Sequence, residues 1–350
     1  MKSYMVSRYA SLDAYTPGEQ PQDMEYVKLN TNESPFPPSP KVAEALTKEE
    51  VEKLKLYSDP EGKELRDAIA KQFGFKRENV LLGNGSDEIL AFAFFAFCAG
   101  AKCIYPNISY GFYPVYAELV GALATEAPLK DDFSIDINDY IGAGQTVIIA
   151  NPNAPTGRAI PLSDIEKIIA SNPENIVLID EAYVDFGGES AVELVHKYDN
   201  LIVCRTFSKS RSLAGARLGF AIASEGVIAD MNRIKYSLNP YNINRLTLVA
   251  GKASIEDEEY FSKNVKTIIE NREYTTKELT KRGFSVLPSC ANFVFAKKDG
   301  KSGEELYLEL KKRGVLVRHF NKEKIKDHLR ITIGTKEQMD TLLAKLDEII

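Results

Sequence analysis

The chain has 350 residues, 44% of them hydrophobic and 27% charged, which suits one large α/β domain and a smaller second one. Its formal net charge of −6 argues against nucleic acid or an anionic membrane surface as the main partner. The four cysteines form no CxxC pair and the three histidines show no ligand spacing, so we expect reduced thiols and no metal.

The amino-terminal segment lacks the apolar centre of a secretory signal. The most hydrophobic run, residues 89–101, is too short to span a bilayer and is predicted to be a buried helix. We therefore expect a cytoplasmic protein without a membrane partner.

The first 29 residues contain many turn formers and are predicted to be an irregular arm. Apolar residues at helical spacing then predict a helix over 62–74, and a strand, a glycine turn and a buried helix are predicted over 79–97. Further strands are predicted over 101–106, 145–153, 175–183, 200–208 and 218–224, with helices over 109–122 and 163–172.

Most of these strands are apolar on both faces and alternate with helices, which is typical of a largely parallel sheet covered on both sides. A charged amphipathic stretch over 254–283 predicts a connecting helix, and a small α+β unit follows it. We therefore predict an arm over 1–29, a large cofactor-binding domain over 30–245 and a small carboxyl-terminal domain over 246–350.

The sequence GNGSDE, residues 83–88, lies between a predicted strand and a predicted helix. Glycines there leave the backbone N–H groups of Ser86 and Asp87 free to bind a phosphate. A plain turn in which Ser86 or Asp87 caps the helix is the alternative.

Polar residues also follow three predicted strands, where parallel sheets bind ligands. Asn153 in NPNAPTG can donate a hydrogen bond to a ligand oxygen. Asp180 in LIDEAY ends a buried strand, so its carboxylate needs a partner: a helix cap, a salt bridge or a cationic ring nitrogen.

Lys209 in TFSKS follows the third of these strands. A lysine at such a place is usually a surface charge, but a desolvated lysine beside a phosphate site can form a Schiff base with an aldehyde. Pyridoxal 5'-phosphate requires an anion site, a partner for its ring nitrogen, donors to its ring oxygen and such a lysine. The order of these motifs along the chain therefore predicts that cofactor.

NPNAPTG, DEAY and SKSRSLAGARLGF together resemble the fold-type-I, aspartate-aminotransferase-like pyridoxal-phosphate enzymes over nearly the whole chain. LDAYTPG, KLNTNESPFPPSP, YSDPEGKELRDAIAKQFG and LVRHF followed by LRITIGT resemble the histidinol-phosphate aminotransferase family. Ala14 and Ser34 stand where that family more often has proline and asparagine. The resemblance implies an α/β fold with a mostly parallel seven-stranded sheet and a smaller α+β carboxyl-terminal domain.

The resemblance also implies roles for the residues that match. Lys209 would hold the cofactor aldehyde and then move the substrate proton, and Asp180 would pair with the ring nitrogen. Asn153 and Tyr183 would contact the ring hydroxyl oxygen, and Tyr110 would stack on the ring.

The cofactor phosphate would be held by the backbone of Ser86 and Asp87 with Ser208 and Arg217, and the small residues 213–216 would let Arg217 return to it. Tyr57 would reach the cofactor phosphate of the other subunit, which implies a homodimer with shared sites.

Substrate contacts are implied for Arg330, which matches the arginine that holds the substrate carboxylate, and for Arg318 and Tyr15 near the substrate phosphate. Asn153 would also contact the substrate, while Asn30 and Glu33 would shape the entrance.

The reaction implied is transamination between L-histidinol phosphate and 2-oxoglutarate, giving imidazole-acetol phosphate and glutamate, in histidine biosynthesis. An aromatic-amino-acid aminotransferase or a threonine-phosphate decarboxylase is the alternative, since these share the cofactor residues and fold does not fix the reaction. A regulator with an aminotransferase-like domain is disfavoured, because the sequence shows no basic helix-turn-helix pattern.

Overall fold

The computed structural model describes residues 4–10 and 12–350. Its strands are β1 (Val27–Lys28), β2 (Val80–Gly83), β3 (Lys102–Pro106), β4 (Leu123–Ala127), β5 (Thr146–Ala150), β6 (Val177–Asp180), β7 (Leu201–Thr206), β8 (Gly219–Ala223), β9 (Phe284–Val286), β10 (Phe293–Lys298), β11 (Val315–Leu316), β12 (Arg318–His319) and β13 (His328–Thr332). Its α-helices are α1 (Pro40–Ala45), α2 (Lys48–Glu52), α3 (Lys63–Phe73), α4 (Ser86–Phe97), α5 (Phe112–Val120), α6 (Leu162–Ser171), α7 (Glu225–Leu238), α8 (Arg245–Ile255), α9 (Glu258–Lys281), α10 (Gly303–Lys312) and α11 (Lys336–Asp347). Within this part of the chain, no helix combines the length and apolar character needed to cross a membrane.

Seven strands form the central sheet in the order β2-β8-β7-β6-β5-β3-β4. All neighbouring strands are parallel except β8, which runs antiparallel to β2 and to β7. Every residue of β5, β6 and β7 is buried, because helices cover both faces of the sheet. The predicted mostly parallel sheet is therefore confirmed.

Alternate residues of these strands pack into the hydrophobic cores on opposite faces of the sheet. Ile149, Ile179 and Val203 pack on one side with α3, α6 and α8, whereas Leu178 and Ile202 pack on the other side with α4, α5 and α7. This alternation follows from the period of two along a strand. It leaves the carboxyl ends of β5, β6 and β7 side by side at one edge of the sheet.

The carboxyl-terminal unit contains an antiparallel sheet in the order β12-β13-β10-β9, packed with α9, α10 and α11. β1 pairs in parallel with β11, so a segment of the predicted arm joins this unit. The neighbouring Leu29 carbonyl accepts from the backbone N–H of Thr332 at 2.9 Å. The division into arm, large domain and small domain stays a prediction.

Three local expectations differ from the structure. β4 was not expected, because LATEA is exposed at four of its five positions and carries no apolar run. α1 was not expected either; it begins with a proline and Ser39 caps it. The predicted connecting helix is split between α8 and α9, because the Asp257 carboxylate binds Ser39 and Lys41 and its backbone is not helical.

Candidate active site

The carboxyl ends of β5, β6 and β7 and the start of α4 surround a cavity of about 450 Å³, called here the inner cavity. Eight residues predicted from the sequence line it: Ser86, Asp87, Tyr110, Asp180, Tyr183, Ser208, Lys209 and Arg217. Glu33, expected to shape the entrance, also lines it, together with Thr31 and several alanines. Residues far apart in sequence meet here because parallel strands end at a common edge.

Lys209 lies in the wall of the inner cavity, where its Nζ donates to the Thr31 carbonyl at 3.2 Å. Burial lowers the pKa of the Lys209 amine to about 8, and the positive charge of Arg330 acts in the same direction. A larger fraction of this amine is therefore neutral near physiological pH than of an exposed lysine. The neutral form is the one that attacks an aldehyde.

Asp180 is 4% exposed and accepts hydrogen bonds from Tyr113 Oη at 2.9 Å and from the Ala182 backbone at 3.1 Å. Burial raises its pKa to about 6, and these two hydrogen bonds offset only part of that effect. Within residues 4–10 and 12–350, Asp180 forms no ion pair. A protonated ring nitrogen in the cavity would supply the missing cation.

The start of α4 brings together groups that could bind a phosphate. Its N-cap is Gly85, which has no side chain to cap the helix, so the alternative of a turn capped by Ser86 or Asp87 is wrong. Arg217 Nη2 contacts Asp87 Oδ2 at 2.7 Å, and Nη1 lies 3.5 Å from Ser208 Oγ. Backbone N–H groups, a hydroxyl and a guanidinium thus meet at one helix end.

Glycines are required at this anion site. Gly85 has a φ of +83°, and a Cβ there would lie 2.5 Å from Arg217 Nη2. A Cβ on Gly219 would lie 2.4 Å from the Ser86 nitrogen. The residues present therefore fit pyridoxal 5'-phosphate: an anion site, a buried carboxylate and a desolvated lysine share one cavity.

A second cavity of about 450 Å³, the outer cavity, adjoins the first. The two share Thr31, Tyr110, Ala154, Tyr183 and Lys209, and Tyr15, Arg318 and Arg330 line only the outer one. Two guanidinium groups and a phenol beside Lys209 suit an anionic substrate.

Arg330 Nη2 donates to the Asn30 carbonyl at 2.9 Å, and burial lowers the pKa of its guanidinium. Its Nε is buried and has no partner among the described residues. Arg318 donates to the carbonyls of Thr16 and Pro17, both at 3.2 Å. Tyr15 stacks on Phe112 with ring centroids 4.1 Å apart, and Tyr15 and Thr16 line the outer cavity.

Two predicted site residues line neither cavity. Asn153 is 1% exposed, and its amide donates to the Ile108 carbonyl at 3.0 Å and to Thr156 Oγ1 at 3.1 Å. Tyr57 is 80% exposed and stacks on Tyr241 with ring centroids 4.5 Å apart. Their roles stay predictions.

Two residues of the site, Tyr113 and Thr31, were not predicted from the sequence. Tyr113 binds Asp180 across 67 residues, and Thr31 binds Lys209 across 178 residues. Nothing in the local pattern around either residue distinguishes it from an ordinary helix or loop residue.

A desolvated lysine and a buried aspartate at the carboxyl edge of a mostly parallel sheet are the arrangement expected of a pyridoxal-phosphate enzyme of the aspartate aminotransferase fold. Residues 24–346 match the sequence model of the family Aminotransferase class I and II. The chain is 51% identical over 352 residues to the histidinol-phosphate aminotransferase of Brachyspira hyodysenteriae, covering 100% of this chain and 99% of that protein. It is 49% identical over 350 residues to that of Marinomonas sp., with 99% of both chains covered.

Among solved structures, the histidinol-phosphate aminotransferase of Sinorhizobium meliloti, in complex with pyridoxal 5'-phosphate, superposes with a TM-score of 0.89. It is 25% identical and covers 99% of this chain and 98% of that one. The chain belongs to the aminotransferase class I and II family and, within it, to the histidinol-phosphate aminotransferases. The predictions of family, fold and cofactor are thereby confirmed.

Proposed function

We propose that this protein transfers an amino group between L-histidinol phosphate and 2-oxoglutarate, forming imidazole-acetol phosphate and glutamate, as a step of histidine biosynthesis. The observation that carries the proposal is the full-length identity of 51% to a histidinol-phosphate aminotransferase. An inner cavity that fits the cofactor and an outer cavity lined by arginines support it.

Pyridoxal 5'-phosphate, when bound, supplies an electron-poor ring that stabilises negative charge at the substrate Cα. Lys209 is the residue we propose to bind the aldehyde and then to carry the proton to and from Cα. Its lowered pKa suits both tasks, since a base works best when its pKa is near the operating pH.

Asp180 keeps a proton at the ring nitrogen, because a buried carboxylate is stabilised by an adjacent cation. Tyr113 and the Ala182 backbone orient that carboxylate. Tyr183 and Asn153 contact the ring hydroxyl oxygen in this proposal, and Tyr110 packs on the ring.

Arg217, Ser208 and the N–H groups of Ser86 and Asp87 hold the cofactor phosphate. Arg330 takes the carboxylate of glutamate or the phosphate of the second substrate, and Arg318 and Tyr15 assist with that phosphate. One set of cations can serve both substrates because each presents an anion to the outer cavity.

Separate half-reactions test the substrate. The cofactor-loaded enzyme is mixed with histidinol phosphate, phenylalanine or threonine phosphate, and the visible absorbance of the bound aldehyde is followed. We expect histidinol phosphate to remove this absorbance at least about 100-fold faster than phenylalanine, because phenylalanine has no phosphate to bind the arginines of the outer cavity.

Two results would contradict the proposal in different ways. If phenylalanine removes the absorbance readily and histidinol phosphate does not, the enzyme is an aromatic-amino-acid aminotransferase. If threonine phosphate releases carbon dioxide, the reaction is decarboxylation.

We also propose that the protein is a cytoplasmic homodimer with shared active sites. Leu54, Leu56 and Tyr57 are exposed in one short segment, and Tyr57 stacks on Tyr241, which is also exposed. Neighbouring exposed apolar residues of this kind mark protein interfaces. The cysteines of the described chain are free thiols, which suits a reducing compartment.

Mixed dimers test the sharing. If Tyr57 reaches the partner's inner cavity, a dimer of one Lys209→Ala and one Tyr57→Ala subunit has one intact site. We expect a randomly reassociated mixture to recover about a quarter of the wild-type activity.

The matched control is a mixture of Lys209→Ala and Asp180→Asn, whose defects lie in the same cavity of each chain, so no site is restored. Activity of the first mixture no greater than the sum of its separate parents would show that Tyr57 does not act across the dimer.

A further inference from the structure

Ser210 follows Lys209 in the chain but faces another part of the molecule. Lys209 lines the inner and outer cavities, whereas Ser210 lines a separate cavity of about 210 Å³ on the other side of the loop. Ser210 is 5% exposed, and its Oγ donates to Asp185 Oδ2 at 2.5 Å. A buried hydroxyl with so short a bond to a carboxylate makes a strong link.

Asp185, which is half-buried, belongs to a charge network whose other members, Arg205 and Glu181, are buried. Arg205 on β7 contacts Asp185 Oδ1 through Nη2, and its Nη1 lies 3.6 Å from Glu181 Oε2. The Glu181 side chain is fully buried and accepts from Ser190 Oγ and from the Ala191 backbone, both at 2.6 Å. One guanidinium thus joins two carboxylates, and the Asp185 carboxylate also accepts the hydrogen bond from Ser210.

Two members of the network are sequence neighbours of Asp180 and Lys209, the two central residues of the active site. Glu181 follows Asp180, and Ser210 follows Lys209. Within the Lys209 loop, the backbone N–H of Leu213 donates to the Phe207 carbonyl and that of Ser212 donates to the Lys209 carbonyl. The Ser210 side chain adds a link from this loop to the loop after β6.

We propose that Arg205, Asp185 and Ser210 form a positioning unit, which fixes the backbone of Lys209 relative to that of Asp180. The inference rests on the proposed function of Lys209, which must reach the aldehyde carbon and then the substrate Cα from one backbone position. A displacement of about 1 Å at such a residue costs roughly 100-fold in rate. None of the three touches the inner cavity with the atoms that form the network, so they act through Lys209.

The experiment compares Ser210→Val with Ser210→Thr in the cofactor-loaded enzyme. Valine and threonine have nearly the same shape, and only threonine keeps the hydroxyl. Ser210 lines a cavity of about 210 Å³, which can take up the added volume of either side chain. The charged groups that face Lys209 are unchanged in both variants: Glu33, Asp87, Arg217 and Arg330.

The first readout is the pH midpoint at which the visible absorbance of the bound aldehyde changes, measured without substrate. We expect Ser210→Val to raise this midpoint by about half a pH unit or more, since a released loop admits water, which stabilises the protonated form of the Lys209 nitrogen that holds the aldehyde. We expect its single-turnover rate with glutamate to fall about tenfold while KM changes less than about twofold. Ser210→Thr should restore both values to within about twofold of wild type.

Asp185→Asn, which keeps the shape and removes the charge, should shift the midpoint in the same direction as Ser210→Val. If Ser210→Val does not fold, the midpoint of Asp185→Asn tests the proposal in its place. Equal midpoints in wild type, Ser210→Val and Asp185→Asn would overturn the proposal, as would valine and threonine variants that behave alike. Because the midpoint is read without substrate, a wrong substrate assignment cannot produce either result.

Discussion

Replacing Lys209 with alanine is expected to abolish transamination, with a loss of about 10⁴-fold or more in turnover. Alanine removes the amine that binds the aldehyde and the only base proposed to move the Cα proton. The anion site around Arg217 and Ser208 is left intact, so the cofactor should still bind without a covalent link. The purified wild type should be yellow, and the variant should show the absorbance of a free aldehyde.

Reduction with borohydride followed by mass spectrometry checks the covalent link. The wild type should carry the cofactor on the peptide that contains Lys209, and Lys209→Ala should carry none. Lys336→Ala, which removes an exposed lysine paired with Asp340, is the control and should label like wild type. A colourless wild type, or a variant labelled at another lysine with activity retained, would contradict the assignment.

Replacing Asp180 with asparagine is expected to lower turnover by about 10³-fold, because a neutral amide does not hold the ring nitrogen protonated. The amide can still accept a hydrogen bond from Tyr113, so the local packing should survive. Rates of the half-reaction with glutamate measure the loss. Asp139→Asn, at an exposed position, should have the wild-type rate.

Without cofactor, Asp180→Asn should be more stable than the wild type, and the difference in their free energies of unfolding should grow as the pH rises. The pKa of Asp180 is about 6 in the folded protein, above the ordinary value of about 3.9 in the unfolded chain. The folded state therefore binds more protons between these values, and stability falls as the pH rises through this window. The buried, ionised Asp180 carboxylate lowers the free energy of unfolding by about 3 kcal/mol above pH 6, and it has no such effect below about pH 4.

Unfolding of both cofactor-free proteins at pH 4.5 and pH 7.5 measures this effect. The advantage of Asp180→Asn over wild type should grow between the two values. A constant difference would mean that Asp180 carries no burial penalty, and full activity of the variant would remove it from the proposed chemistry.

Much of the fold could be predicted from the sequence because its signals are local. Strands such as β5 and β6 are continuous apolar runs, and helices such as α3 show apolar spacing and end at glycine. β4 could not be predicted, since an exposed edge strand needs no apolar run, and the break at Asp257 depends on a contact with Ser39, 218 residues away.

The residues of the candidate site also fall into those that could be predicted from the sequence and those that could not. Lys209, Asp180 and Arg217 could be predicted because each stands in a motif beside a buried strand, and the ends of parallel strands converge. Tyr113 and Thr31 could not, because their partners are distant in sequence and a tyrosine or threonine there has no distinctive pattern.

The sequence by itself determined the α/β class, the cofactor and the family, through motifs that each need only a few neighbouring residues. Only the tertiary structure decided what surrounds those motifs. It left Asp180 without an ion pair among residues 4–10 and 12–350, raised the pKa of its carboxyl, lowered the pKa of the Lys209 amine, and gave Ser210 a bond to Asp185 that could not be predicted from the sequence. The physical reason is that burial and long-range hydrogen bonds are set by how the whole chain packs.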